Sequence, residues 1–214
     1  MVQAIVISTL VLGGVYALLA VGFSLIFGIA RLVYLCHTAF YMMGGYFMYL
    51  FLINLGWSLP LSIVLSIIVV VLLGILSYKF LIDPIREHPA TALIITCAIA
   101  MLIQEAMLLA FGGDPLGISA LIPGYTEMIG VRVANQHLLS LGIAVVILLG
   151  VWAFLSRTKE GIAIRATADD REVANLMGID PARIGMITAG LAILLTALAA
   201  VLICPIAILE PAMW

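Results

Sequence analysis

Residues 156–185 read SRTKEGIAIRATADDREVANLMGIDPARIG, and this segment decides how the chain must fold. It holds half of the Asp, Glu, Lys and Arg residues of the protein and lies between two long apolar runs. A charged side chain at the centre of a bilayer costs roughly 2.5–3.5 kcal/mol on insertion scales, so a segment this rich in charge stays in water. The sequence therefore predicts an aqueous connection between two membrane spans.

The same segment carries the start and stop signals of a short helix. Asp169 and Glu172 have the spacing of a capping box, in which each side chain accepts a hydrogen bond from a free backbone N–H. Gly178 suits the left-handed conformation that ends a helix, and Asp180 with Pro181 is typical of the start of the next one. We expect the segment to lie folded on the membrane surface and to dock a partner. The helix presents a small apolar face made of Val173, Ala174, Leu176 and Met177.

The composition of the whole chain indicates a polytopic membrane protein. Hydrophobic residues make up 65% of the chain and charged residues 9%, whereas soluble domains carry about a quarter charged residues. The net charge of −2 comes without a basic patch, so no nucleic-acid partner is predicted. Cys36, Cys97 and Cys204 are odd in number and lie in apolar surroundings, which favours small buried side chains over disulfides or a metal site.

Apolar runs of bilayer-crossing length recur six times, since a span needs about 20 residues. The predicted fold is all-α, a polytopic transmembrane helical bundle that forms a single domain over residues 1–214. The second span contains the pair Gly44 and Gly45, which loosens a helix, so one interpretation of this span is a broken or kinked helix that lines a path. The small residues Ala192, Thr196 and Ala200 predict close packing of the sixth span. The spans are expected at about 2–30, 35–52, 61–78, 91–111, 138–155 and 180–204.

The distribution of Lys and Arg predicts the orientation of the bundle, because cytoplasmic loops carry an excess of these residues. If residues 156–185 lie inside, only Arg132 of the basic residues falls outside. The N-terminus is then external, and residues 112–137 form an external loop or a short re-entrant piece. The basic residues expected inside are Arg31, Lys79, Arg86, Arg157, Lys159, Arg165, Arg171 and Arg183.

Polar side chains within two of the spans are candidates for a translocation path. Polar groups at bilayer depth are costly and usually face protein or water. His37, Thr38 and Tyr41 lie in the second span, and Gln104 and Glu105 lie in the fourth. Two interpretations stay open: these side chains line a path, or they lie near the membrane interface and bond to nearby groups.

The chain lacks the residues with which proteins commonly bind and hydrolyse ATP. The P-loop pattern, with its Lys followed by Ser or Thr, is absent from the sequence. His88 beside Glu87 has no further ligand at a fixed spacing, so no metal site is predicted. We therefore expect a protein that is not an enzyme and that holds no cofactor of its own.

The charged segment also resembles a known family. Residues 172–178 fit the Glu-Ala-Ala-x-x-x-Gly pattern of ABC-importer permeases, with Val173 in place of the middle alanine. Residues 161–179 resemble the permease of branched-chain amino acid importers, and residues 13–22 resemble the opening of the same family. In that family this loop, here residues 156–185, is where the ATPase subunit docks. The resemblance implies ATPase-coupling roles for Gly161, Arg165, Asp170, Glu172, Ala174, Leu176 and Gly178.

Two further stretches resemble the same family with differences. Residues 37–46 are similar to its Asn-x-Ala-His-Gly segment, but Tyr34, Cys36 and Thr38 stand where asparagine, alanine and glycine are more usual. The chain stops at Trp214, within what resembles the Pro-x-Met-Gly stretch. Family members normally continue with further spans, so the C-terminal part of the domain is expected to be absent here.

The resemblance implies the function and the partners of the chain. It implies a permease subunit in the plasma (inner) membrane of a prokaryote, within an ATP-driven importer of branched-chain or related hydrophobic amino acids. A second homologous permease, two ATPase subunits that bind ATP and Mg²⁺, and an external solute-binding protein are the expected partners, besides membrane lipid. The alternatives are a secondary transporter or channel that works without an ATPase, and a membrane scaffold that transports nothing.

Overall fold

The computed structural model describes residues 2–85, 88–118, 124–128, 131–211 and 213–214, and these residues form a helical bundle. Two of its helices end in turns of different geometry. Helix α2 continues as a π-helix over Leu50–Asn54, and α3 continues as a π-helix over Tyr78–Ile82 and a 3₁₀ turn over Asp83–Ile85. The helices are α1 Val2–Ala30, α2 Cys36–Tyr49, α3 Leu59–Ser77, α4 Pro89–Phe111, α5 Asn135–Arg157, α6 Lys159–Asp169, α7 Arg171–Leu176 and α8 Pro181–Ile203.

Six stretches among the described residues are long and apolar enough to cross a membrane, which confirms the predicted fold class. They correspond to α1, α2 with its π-helical end, α3 with its end turns, α4, α5 and α8. The predicted spans agree with these helices to within a few residues, apart from the end turns of α3. A spanning helix satisfies the backbone groups that lie in the hydrocarbon region by hydrogen bonds within the helix, which is why apolar runs of this length adopt it in lipid.

Helix α8 lies at the centre of the bundle and packs against α1, α2 and α3. The helix is buried along most of its length because small side chains line its contacts. Ala192, Thr196 and Ala200 are each at most 1% exposed, so the predicted row of small residues is confirmed as a packing surface. Close approach of helix backbones is how helices gain contact energy in lipid, where hydrophobic attraction between them is absent.

The predicted break at Gly44 and Gly45 is wrong, because α2 runs as an uninterrupted α-helix through both residues. The pair serves close packing instead. A Cβ atom at residue 44 would lie 2.8 Å from the Cβ of Ala200, and one at residue 45 would lie 2.6 Å from Leu209 Cδ2. The departure from α-helical bonding comes later, at Leu50–Asn54.

The connection between α4 and α5 contains a short antiparallel hairpin that the sequence did not predict. Strand β1 (Tyr125–Met128) pairs with strand β2 (Val131–Ala134), with Tyr125 opposite Ala134. Leu116 and Leu209 exchange two backbone hydrogen bonds of 3.1 and 2.7 Å, which tie this connection to the segment after α8. Strands of four residues are too short to show a clear alternation of apolar and polar residues.

Candidate functional site: a surface outside the six spans

The charged segment folds as two helices, α6 and α7, outside the six spans. Thr158 caps α6 by accepting a hydrogen bond from the Gly161 N–H at 3.0 Å. Gly161 is buried, and a Cβ there would overlap the carbonyl oxygen of Phe154 at the end of α5. The absence of a side chain at Gly161 therefore lets α6 fold directly back onto α5. Helix α6 was not predicted from the sequence.

Asp170, not Asp169, caps α7. Its Oδ1 accepts hydrogen bonds from the backbone N–H groups of Glu172 at 2.9 Å and Val173 at 3.0 Å. The predicted capping box is wrong because Asp169 is already the last residue of α6, whereas Asp170 has an extended backbone. A cap must stand outside the helix so that its side chain can reach the free N–H groups.

The end of α7 and the start of α8 agree with the prediction. Gly178 has φ of +84°, the left-handed region that favours glycine. Asp180 Oδ1 accepts from the Ala182 N–H at 2.9 Å, and Pro181 takes the first position of α8. The connection from α7 to α8 is therefore a short turn held by local hydrogen bonds.

Helix α7 exposes large apolar side chains although it lies outside the spans. Leu176 is 85% exposed, Met177 79% and Val173 50%. Ala174, which the sequence grouped with them, is 4% exposed and belongs to the face that packs against the protein. Residues 173, 176 and 177 share one side of a helix with 3.6 residues per turn, and residue 174 points about 100° away from 173. We call Val173, Leu176 and Met177 the α7 apolar face.

A polar cleft of about 460 Å³ lies beside α7 and is partly lined by the turn between α1 and α2. Arg31 in this turn has φ of +50°, a conformation that non-glycine residues rarely adopt. The turn is anchored by a hydrogen bond of 3.1 Å between the Tyr34 hydroxyl and Ser77 Oγ. Burial raises the pKa of Tyr34 well above its usual value. No sequence signal indicated that Arg31 would line this cleft.

Other charged residues of the segment remain at its surface. Arg165 is exposed beside Asp169 in a shallow pocket on α6, and Glu172 is exposed on α7. Arg183 donates to Glu160 Oε1 at 3.3 Å, an exposed ion pair that links α8 to α6. Exposed pairs of this kind contribute only about 0–1 kcal/mol, so the caps and the packing of Gly161 matter more for the fold.

His37 is 1% exposed and is held between three helices. Its Nε2 lies 3.2 Å from the carbonyl oxygen of Leu19 on α1 and 2.9 Å from Thr196 Oγ1 on α8. The ring of Phe23 meets the imidazole edge-on, with centroids 6.3 Å apart. His37 therefore forms the polar contact that joins α1, α2 and α8. From the sequence, Thr196 was predicted only as a small packing residue. Its hydroxyl was the signal that could have indicated this polar contact.

The other four path candidates lie in different surroundings. Thr38 donates to the carbonyl oxygen of Leu35 at 3.0 Å, and Tyr41 is buried in the apolar core beside α1 and α8. Gln104 on α4 accepts from the indole N–H of Trp214 at 2.7 Å, a partner that no sequence pattern indicated. Glu105 is exposed on α4. The hydrogen bonds described above do not join the candidates of α2 to those of α4.

Comparison with known proteins gives the chain a family. The model of the branched-chain amino acid transport system / permease component family matches residues 5–211. The chain belongs to this family. The permease BraD of a high-affinity branched-chain amino acid transport system from Pseudomonas aeruginosa is 28% identical over 211 residues, which cover 92% of this chain and 69% of BraD.

The permease is also similar to LivH proteins, named as permease proteins of high-affinity branched-chain amino acid transport systems. LivH from Escherichia coli strain K12 and LivH from Salmonella typhimurium are each 24% identical over 210 residues. These matches cover 90% of this chain and 67% of each relative. No solved structure matches the chain. Six apolar helices and this family identify a multi-pass membrane permease, and its relatives are transport subunits.

Proposed function

We propose that the chain is the membrane-spanning permease subunit of an ATP-driven importer of branched-chain or related hydrophobic amino acids. The family match over nearly the whole chain and the names of the relatives support the transport class. The α7 apolar face is the observation that supports coupling to an ATPase. The chain itself leaves these large apolar side chains exposed outside the spans, and an apolar helix face of this kind fits a hydrophobic groove on a partner.

In this proposal α7 is the ATPase dock and α8 transmits the motion. The turn at Gly178 and Asp180 joins α7 to α8, and α6 packs against both α1 and α8. Closure of the ATPases would move α6 and α7, and α8 would carry this motion to Thr196 and so to His37. Alternation between two packings of a bundle needs each packing to be favoured by a different ligand state.

The remaining partners follow from the same proposal. ATP and Mg²⁺ would be bound by two ATPase subunits, since the chain has no P-loop pattern. A second homologous permease would complete the translocation path, and an external binding protein would deliver the substrate. Within this permease we assign the path to side chains from α2 and α4, namely His37, Thr38, Tyr41, Gln104 and Glu105.

The ATPase dock is tested by a double substitution on the α7 apolar face. The variant Leu176→Asp with Met177→Asp replaces two exposed apolar side chains by charged ones. Recovery of a co-expressed importer ATPase should then fall about 30-fold. This corresponds to roughly 2 kcal/mol of binding free energy, which is typical for the loss of a few anchor residues. Membrane abundance and thermal unfolding of the permease should stay unchanged, because both side chains point away from the protein.

Asn175→Asp is the matched control, since it adds a charge at another exposed position of the same helix and removes no apolar anchor. Its ATPase recovery should stay within threefold of the unmodified permease. Equal recovery with the double variant and the control would remove the docking proposal. Amino-acid uptake without any ATPase would favour a secondary transporter or channel.

The proposed orientation has its own test. A cysteine placed at residue 113 should react with a bulky thiol label in intact cells. A cysteine placed at residue 175 should react with the same label only after permeabilisation. Both residues lie outside the six apolar stretches, and in the proposed orientation they lie on opposite sides of the membrane. The reverse pattern would overturn the proposed function as well, because an external α7 could not meet a cytoplasmic ATPase.

A further inference from the structure

An apolar groove of about 340 Å³ lies between α3 and α5, with α8 as its floor. Ile63 and Ile67 of α3 form one wall, and Ile143 and Ile147 of α5 form the other, over Leu198 of α8. The groove borders exposed apolar surface, since Val64 on α3 and Val146 on α5 are both more than half exposed. Its position thus places it at the lipid-facing side of the bundle.

One polar side chain lines this groove. Gln136, in the first turn of α5, is 3% exposed, and its Oε1 accepts no hydrogen bond among the described residues. A buried amide oxygen without a donor is costly, and native proteins leave few of them. The groove therefore combines a long apolar channel with an unmet acceptor near one end. That combination matches an amphiphile that has a hydrocarbon chain and a donor beside it.

The length of the groove matches half of a bilayer. The lining residues span Leu59 to Ile67 on α3 and Gln136 to Ile147 on α5. At 1.5 Å per residue these stretches are about 12 and 16 Å long. Half of a hydrocarbon core is about 15 Å. Gln136 then lies near the polar edge of the leaflet that contains the N-termini of α3 and α5, and Ile147 lies near its midplane.

The length of the groove and the chemistry of its lining argue against two other occupants. A transmembrane helix would need a seam across the full core of about 30 Å, which is twice the length of this groove. A free amino acid would bring an ammonium and a carboxylate, and the groove offers a single neutral amide for both. A lipid keeps its charges in the headgroup layer and places only hydrocarbon in the groove.

We propose that the groove binds one acyl chain of a bilayer lipid whose headgroup carries an N–H or O–H donor for Gln136. Phosphatidylethanolamine supplies an ammonium donor and phosphatidylglycerol supplies hydroxyl donors, whereas phosphatidylcholine has neither. The inference does not depend on the transported substrate or on the ATPase. It predicts a lipid that stays with the permease through purification because chain and headgroup are both recognised.

The test measures lipids that remain bound after the permease is purified from vesicles of dioleoylphosphatidylcholine alone, or mixed with dioleoylphosphatidylethanolamine or dioleoylphosphatidylglycerol. Native mass spectrometry should show about one retained lipid, enriched about tenfold for a donor-bearing headgroup over phosphatidylcholine. The separate ethanolamine and glycerol vesicles distinguish the two donor sources. Enrichment of neither headgroup over phosphatidylcholine would overturn the role of Gln136.

Two variants separate the chain contact from the headgroup contact. Ile143→Trp fills the groove and should lower lipid retention about tenfold, whereas Val146→Trp, on the exposed side of α5, should retain lipid like the unmodified permease. Gln136→Leu removes the unmet acceptor and should keep a bound chain while losing the headgroup preference. Thermal unfolding of each variant shows that the bundle is intact.

Equal retention by Ile143→Trp and Val146→Trp would overturn the groove as the lipid site. A disulfide between two permease copies that bear cysteine at residue 143 would show a second chain in the groove and would also overturn the proposal. A rise in unfolding temperature when phosphatidylethanolamine is added back should occur with Val146→Trp and not with Ile143→Trp, since a ligand stabilises only the state that binds it.

Discussion

Helices α7 and α2 both carry side chains that their surroundings disfavour, and they differ in how these are satisfied. On α7, Leu176 and Met177 are largely exposed although this helix lies outside the six apolar stretches. On α2, His37 is polar and lies within a span, but it is buried and bonded to α1 and α8. The chain itself supplies hydrogen-bond partners for His37 on α2, but it does not cover the apolar side chains of α7.

This difference teaches where the chain needs a partner. A buried polar group that finds its hydrogen bonds inside the protein stabilises a specific packing, and function need not be invoked for it. An exposed apolar face outside the spans is stabilised when a partner surface covers it. The contrast makes α7 the stronger candidate for an interaction surface and makes His37 first a structural link within the bundle.

The largest effect that tests the comparison between α2 and α7 is expected at Gly44 on α2. Gly44→Val would place a side chain against Ala200, where the Cβ separation is only 2.8 Å, and should lower the stability of the bundle by about 3 kcal/mol. Thermal unfolding in detergent measures the loss, and Ala200→Gly in the same chain should restore part of it. Gly13→Val is the control because its Cβ would have open space. Equal unfolding of the two valine variants would show that α2 is not closely packed.

A smaller effect is expected at the polar contact of α2. Thr196→Val leaves the buried imidazole of His37 with one partner fewer and should cost about 2 kcal/mol of stability. Adding His37→Leu should cost less than the sum of the two single changes, because both partners are then apolar. ATPase recovery should stay unchanged if this contact is internal to the bundle. Additive losses in the double variant would show that the two side chains do not depend on each other.

The smallest effect is expected at the exit of α7. Gly178→Val forces a β-branched residue to a φ near +84° in open space, so strain alone should cost about 1 kcal/mol. Gly178→Asn should cost less, since asparagine tolerates this conformation. Valine should lower ATPase recovery more than it lowers permease abundance, because it redirects α7 without touching the spans. Loss of the permease from the membrane would show instead that this turn holds the bundle together.

The functional candidates could be predicted only in part. Gly178, Asp180 and Pro181 were assigned correctly because their roles depend on hydrogen bonds within a few residues. Asp169 was assigned wrongly because the extent of α6 depends on how Gly161 packs against α5. Ala174 was placed on the docking face, and the structure buries it. Which side of a six-residue helix faces the protein is decided by what that helix packs against.

The sequence by itself determined that six stretches are long and apolar enough to cross a membrane and that one charged segment folds outside them. Hydrophobicity and helix caps are local properties, so composition and short spacings are enough to predict them. Only the tertiary structure decided that Gly44 approaches Ala200, that His37 meets Thr196 and that Gln136 lines an apolar groove. His37 and Thr196 are 159 residues apart in the chain. No local pattern determines such a contact, because it depends on how whole helices pack around α8.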